Sequence, residues 1–151
     1  MKQLKWSGWF DLQTLNFEII PPKPGVYEIR CAINGKPQPI NRANVIDKSG
    51  LLYIGQSHNL KRRIKGFWQH INEGKQRHTA ARTYQTYSFE QKFPPEHLQI
   101  RWTQLSKEET GHIESQLLDS YANKFLDKPP LNISIKRTKI PFHVYGAYSD
   151  R

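Results

Sequence analysis

The sequence predicts an α+β domain, built as a small, largely antiparallel three-stranded sheet flanked by helices. Runs rich in β-formers occupy residues 25–33, 50–55 and 98–105, and apolar residues recur at steps of three or four over 58–73 and 106–126. The resulting order, β, β, α, α, β, α, is that of mixed elements packed around one core. With 151 residues the chain is one domain by length, able to bury roughly 70% of its unfolded surface.

Each element has its own signal. Residues 1–24 read as an amino-terminal arm: Trp6, Trp9, Phe10, Leu12 and Phe17 follow no sustained period, and PPKPG at 21–25 stops any helix. GVYEIRCAI at 25–33 is a strand that runs into the turn pair Asn34-Gly35. A long loop over 36–49 carries Pro37 and Pro39 and has room for a short extra strand around 43–46. GLLYIG at 50–55 is the next strand. Leu60, Ile64, Phe67, Trp68 and Ile71 then trace an amphipathic helix, capped by Ser57 or Asn59 and closed by Gly74. A weaker helix is expected over 78–91 through Ala80, Ala81, Tyr84 and Tyr87, followed by the alternating strand LQIRWTQL at 98–105. Ser106 and Glu109 match a capping box ahead of a helix whose face runs through Ile113, Leu117, Leu118, Tyr121, Ala122 and Phe125. The tail, 134–151, has β-formers for a short strand that the pattern does not place.

Composition bounds the function. A hydrophobic content of 36%, with seven Phe, seven Tyr and four Trp, describes a globular protein rather than a disordered one. No stretch reaches the roughly 18 apolar residues of a membrane span, and MKQLKWSGWF lacks the apolar centre of a signal peptide. The expectation is a soluble, cytoplasmic protein without membrane contact. The lone Cys31 rules out an intrachain disulfide and a cysteine-cluster zinc site, and reads as a strand residue. Lys and Arg number 23 against 13 Asp and Glu, a net charge of +10, which is the footprint of a nucleic-acid binder. Between Ser57 and Arg82, seven basic residues (Lys61, Arg62, Arg63, Lys65, Lys75, Arg77, Arg82) face one acid, Glu73. Such clustering favours a polyanion groove.

Four side chains stand out chemically. Glu114 borders the apolar face of the last helix, where a carboxylate is costly to bury unless a cation or hydrogen bonds compensate it. A divalent metal beside a phosphate would do so, and so would a lean into solvent. Tyr27 and Tyr53 each adjoin a glycine, in GVY and YIG, on neighbouring strands, and a phenol there can orient or deprotonate water. Either could equally be a core residue. Arg63, ten residues beyond Tyr53, offers a planar fork to phosphate oxygens, or rides a solvated helix face. Lys61, Arg62 and Lys65, with Lys75, Arg77 and Arg82, are suited to gripping neighbouring phosphates.

Taken together these residues resemble the GIY-YIG endonuclease superfamily. GVY stands for the first signature and YIG for the second, Arg63 matches the family's arginine, Glu114 its metal-binding glutamate, and Asn132 in KPPLN the asparagine that often follows. The resemblance covers residues 25–133. It implies a compact α+β nuclease that hydrolyses DNA phosphodiesters with one divalent metal, Mg²⁺ or Mn²⁺. Glu114 would hold the metal, Arg63 the attacked phosphate, and one of the tyrosines would activate water. His78 resembles a family histidine that opens the second helix, with a role in proton transfer or phosphate contact. Where many relatives carry a histidine four residues past the arginine, this chain has Phe67; the nearby His70 is expected in the core or on the surface. The 26-residue interval from Tyr27 to Tyr53 resembles the restriction-enzyme branch, whose insertions help bind DNA, and a homodimer on DNA would cut both strands. The alternative is a non-catalytic nucleic-acid-binding module of the same fold.

Overall fold

The computed structural model describes residues 3–133. Its strands are β1 (Phe10–Asp11), β2 (Gly25–Ile33), β3 (Lys36–Pro37), β4 (Ile40–Asn41), β5 (Ile46–Asp47), β6 (Leu51–Ser57) and β7 (Leu98–Gln104), and its helices α1 (Leu60–Glu73), α2 (Thr79–Thr86) and α3 (Thr110–Phe125). The long strands pair antiparallel in the order β6, β2, β7, with β2 central. This is the three-stranded sheet that the sequence predicts. Two short strands extend it, β3 folding back on β2 through Asn34-Gly35, and β1 adding to the outer edge of β7. Both turn residues have positive φ, 51° and 76°, as a tight hairpin turn requires.

The two faces of the sheet carry separate cores. Tyr27, Ile29 and Cys31 of β2 pack with Leu60, Ile64 and Phe67 of α1 and with Ala80, Ala81 and Tyr84 of α2. Val26 faces the other way, with Ile54, Ile113, Tyr121 and Phe125, against α3 and the arm residues Leu4, Trp6 and Trp9. Cys31 is fully buried and burial pushes its thiol up to about 11, consistent with a strand residue rather than a nucleophile. The register between β2 and β6 shifts after Ile29: Ile29 pairs with Tyr53, whereas Arg30 pairs with Leu51. The extra residue, Leu52, is a β-bulge. It lets Tyr53 and Gly55 share the face of Tyr27.

Several local expectations are revised. α2 ends at Thr86 rather than 91, and a short 3-10 turn at Phe89–Gln91 completes the segment. The extra strand is a pair, β4 with β5, joined to α3 by a hydrogen bond from Tyr121 Oη to Asp47 (2.7 Å) and by the ion pair of Arg42 with Asp127 (2.6 Å). The Ser106–Glu109 box closes the turn before α3, since Glu109 accepts from the Ser106 main chain and hydroxyl and itself occupies the N-cap position. The arm is held on the sheet by hydrogen bonds of Ser7 with Trp102, while Arg101 lies over the rings of Trp6 and Trp9. The strand expected in the tail falls outside the described residues.

Gly25 sits where β2 begins. A side chain there would drive its Cβ into the Thr103 carbonyl oxygen of β7 and stand 2.6 Å from Leu60 of α1. Backbone cannot yield as a flexible side chain can, so Gly25→Ala is expected to cost about 1–3 kcal/mol, the usual range for overpacking. Urea denaturation checks this, and a loss of only a few tenths of a kcal/mol would show that the two strands can part cheaply.

Candidate active site

The site forms at the β6 edge of the sheet, where the helices of both faces meet. Tyr27 pairs directly with Gly55 across β2 and β6. A Cβ on Gly55 would lie 2.5 Å from the Tyr53 ring and 2.8–2.9 Å from the Tyr27 Cζ and Oη. Glycine at this position makes the room in which the two phenols converge, their ring centroids 5.8 Å apart. Tyr27 is fully buried, and Tyr53 is half-buried at the cleft.

His78 reaches the pair from the N-cap of α2. Its Nδ1 accepts the Ala80 N–H (3.1 Å), and its Nε2 stands 2.6 Å from Tyr27 Oη. Because Nδ1 is an acceptor, the neutral ring carries its proton on Nε2 and donates it to the phenol oxygen. Burial, with Arg63 and His70 adding positive charge, lowers the His78 pKa to about 3. The ring is thus neutral at physiological pH. Phe67, from the middle of α1, packs edge-on against it at 5.0 Å.

His70 has a different task. It is buried, and its Nδ1 accepts the N–H groups of Arg77 (3.2 Å) and His78 (3.1 Å). It ties the α1–α2 connection down and so sets the entry of His78. Of the two places the sequence left open, core or surface, His70 takes the core.

Burial raises the pKa of both phenols, and the Arg63 cation draws each back down. The charge of one phenol also disfavours that of the other, so Tyr53 adds to the rise at Tyr27, the two rings lying 5.8 Å apart. His78, Tyr27 and Tyr53 therefore form one cluster of rings, with His78 Nε2 bonded to Tyr27 Oη. Arg63, half-buried in the first turn of α1, also donates from Nη1 to the Arg77 carbonyl (3.4 Å).

A cleft of about 250 Å³ opens beside Tyr53 and is lined by Glu114, Asn132, Lys128 and Thr79 among others. Desolvation raises the Glu114 pKa, and hydrogen bonds from the Gln56 side chain and main chain oppose that rise. Gln56 immediately follows the YIG signature and aims a donor at the carboxylate, a role for which the sequence carries no signal because it depends on α3 packing against the end of β6. Asn132 is a clasp. Its Oδ1 accepts the Ile54 N–H (3.0 Å) and its Nδ2 donates to the Ile54 carbonyl (2.8 Å), so the carboxamide holds the β6 backbone between Tyr53 and Gly55.

The basic residues divide. Arg62, Arg63 and Arg77 line a second cleft. Lys61 pairs with Glu18 (2.8 Å), and Lys75 with Glu73 (2.7 Å). Lys65 acts on Glu18 from the same side as Lys61, and Arg82 acts on His70. Among the described residues no group of three or more His, Cys, Asp or Glu side chains assembles as a metal cage, and no helix is long and apolar enough to cross a membrane.

A family model described as GIY-YIG domain-containing protein matches residues 9–127. Neither the curated proteins nor the solved structures give a match.

The low pKa of His78 makes stability pH-dependent. The unfolded chain protonates this histidine near 6.5 and the native state only near 3, so the unfolded state binds the extra proton between those values. Stability is then full above about 6.5 and falls as pH drops, by up to about 1.4 kcal/mol per pH unit from this group. His78→Gln is expected to flatten the urea-unfolding profile between pH 4 and 6.5 relative to the native chain. Parallel profiles would mean that the ring charges in place. A further expectation concerns the clasp: Asn132→Ala removes two hydrogen bonds to one residue and should cost about 1–3 kcal/mol, read as a lower thermal midpoint.

Proposed function

We infer the function from one premise: the chain belongs to the GIY-YIG domain family, whose domains are typically endonucleases. On that premise the chain is a metal-dependent DNA endonuclease that hydrolyses a phosphodiester with water activated by a tyrosine. The observation that carries this reading is the cluster of His78, Tyr27 and Tyr53, in which His78 Nε2 meets Tyr27 Oη at 2.6 Å and Tyr53 lines the cleft that holds Glu114. A nucleic-acid-binding module has no use for a buried histidine bonded to one phenol and a second phenol facing a carboxylate across a cleft.

The roles follow from position. Tyr53 reaches the cleft, whereas Tyr27 is fully enclosed, so Tyr53 is the general base that meets the attacking water. Tyr27 donates to it and, with the His78 N–H behind, stabilises the phenolate as it forms. His78 is a positioning residue, since a neutral ring of fixed tautomer neither takes nor gives a proton at neutral pH. Arg63 lies against both phenols and faces the phosphate, where its fixed charge offsets the charge that builds on the equatorial oxygens. Asn132 keeps Tyr53 at its place by fixing the adjacent peptide.

The donor set fits a hard divalent cation. One half-buried carboxylate, kept oriented by Gln56, leaves most of the coordination to water and phosphate oxygens, which is the arrangement Mg²⁺ favours. A bound Mg²⁺ or Mn²⁺ supplies Lewis-acid stabilisation of the leaving oxygen. Glu114 would hold it.

Incubation of supercoiled plasmid with Mg²⁺ is expected to give nicked and linear DNA. Arg63→Ala, Glu114→Ala and Tyr53→Phe should each lower kcat at least about 10²-fold, the scale of losing one charge stabiliser or one general base. Glu114→Ala should retain DNA affinity. Because the pKa of the Tyr53 phenol is raised, kcat/KM should climb with pH from neutrality towards 10 in the native chain. Salt-dependent binding without nicking by any divalent metal would favour the binding-module alternative instead.

A further inference from the structure

The second cleft, about 370 Å³, is lined by Arg62, Arg63, Arg77, Gln69, His58 and Asn59 among its residues. No carboxylate lines it, and among the described residues no ion pair engages Arg62, Arg63 or Arg77. This contrasts with Lys61 and Lys75 nearby, each of which has a glutamate partner. Three guanidinium groups crowded into one concavity repel one another, and the local sequence supplies no acid there to relieve them. An anion with several oxygen acceptors would.

The cleft is built rather than incidental. Arg62 extends from the first turn of α1, whose N-cap Asn59 accepts the Arg62 N–H and fixes the start of the helix. Arg77 comes from the α1–α2 connection, and its N–H is held by His70. Gly66, on the α1 surface between them, keeps the floor low: a Cβ there would touch the Arg77 side chain at 3.5 Å. Arg63 belongs to both places. It lines this cleft, and its charge acts on Tyr53, which lines the other.

We propose that this cleft is a subsite for one phosphodiester neighbouring the cleaved bond, so that a polynucleotide backbone runs from the Glu114 cleft across Arg63 to Arg62 and Arg77. The assignment rests on the nuclease reading for its register, not for its chemistry. An open surface cleft with exposed arginines on two sides admits a phosphate that continues in both directions along a strand. Phosphate contacts of this kind fix register without reading sequence. The cleft thus positions the scissile bond.

Two measurements test it. In the first, a short duplex is titrated by fluorescence anisotropy at several NaCl concentrations without divalent metal. Each phosphate contact contributes about 0.9 to the slope of log K against log salt, so the Arg62→Ala/Arg77→Ala double variant should have a slope lower by about 0.9. An unchanged slope overturns the subsite, and does so even if the protein never cuts. In the second, duplexes with a known cut position carry a single neutral methylphosphonate at successive linkages. Replacement of one linkage near the cut should lower kcat/KM about tenfold in the native chain and less than twofold in the double variant. An equal penalty in both proteins, or no sensitive linkage, overturns the register. A titration with inorganic phosphate at matched ionic strength forms the third arm: saturable binding that the double variant loses, together with a flat methylphosphonate scan, would assign the cleft to free phosphate and reject the polynucleotide. Both side chains are exposed, and matching thermal midpoints would verify that the variants fold.

Discussion

The pairing of Tyr27 with Gly55 is the constraint on which the candidate site depends. Two phenols can share one face of a sheet at 5.8 Å only if the residue opposite one of them has no side chain. The bulge at Leu52 adds the second condition, since without the register shift Tyr53 would fall on the face of α3. With both in place, α1 brings Arg63, α2 brings His78 and α3 brings Glu114 to the same strand end. The signature glycines thus serve different ends: Gly25 permits close approach of strands and helix, and Gly55 permits convergence of phenols. Neither needs an unusual backbone angle.

The sequence made the long elements legible because their signals are local. Periodicity places β2, β6, β7, α1 and α3, and Asn59 and Gly74 bound α1 as capping chemistry requires. The basic cluster was visible as composition, but its division was not. Whether Arg62 and Arg77 share a cleft, while Lys61 turns to Glu18, depends on contacts between segments far apart in the chain. The same holds for the clasp of Asn132 on Ile54, 78 residues away, and for the bond of His78 with Tyr27, 51 residues away. Short strands such as β1 carry no period of their own and exist because a neighbouring edge offers unpaired backbone groups. The capping box reads as the start of the last helix at Ser106, yet the helix begins at Thr110 with Glu109 as its N-cap, since the box motif fixes a local geometry and not the residue at which a helix begins.

The insertion between β2 and β6 acts on the site from outside. Arg42 pairs with Asp127 and donates to the Lys128 carbonyl (2.6 Å), and Asp47 receives the Tyr121 hydroxyl. Both tethers meet the carboxy-terminal end of α3, immediately before the segment that supplies Lys128 to one wall of the cleft and Asn132 to the β6 edge. The insertion is therefore a brace for the cleft wall, whatever else its exposed side touches. Its cost in chain entropy is modest, because closing a longer loop adds only about 0.6 kcal/mol per doubling of length.

Phe67 sets the surroundings of the His78 ring. A histidine at this position would stand in the core beside the phenols, competing with His78 for the Tyr27 oxygen. Phenylalanine instead gives an apolar wall, 5.0 Å from the His78 ring, that excludes water and helps keep the imidazole neutral. The proton on Nε2 then has one acceptor, Tyr27. In this chain the imidazole is held by its N-cap bond on one nitrogen and spends the other on the phenol. The tautomer that meets Tyr27 is thus set by a backbone N–H at the start of α2, away from the cleft where the phosphate would lie.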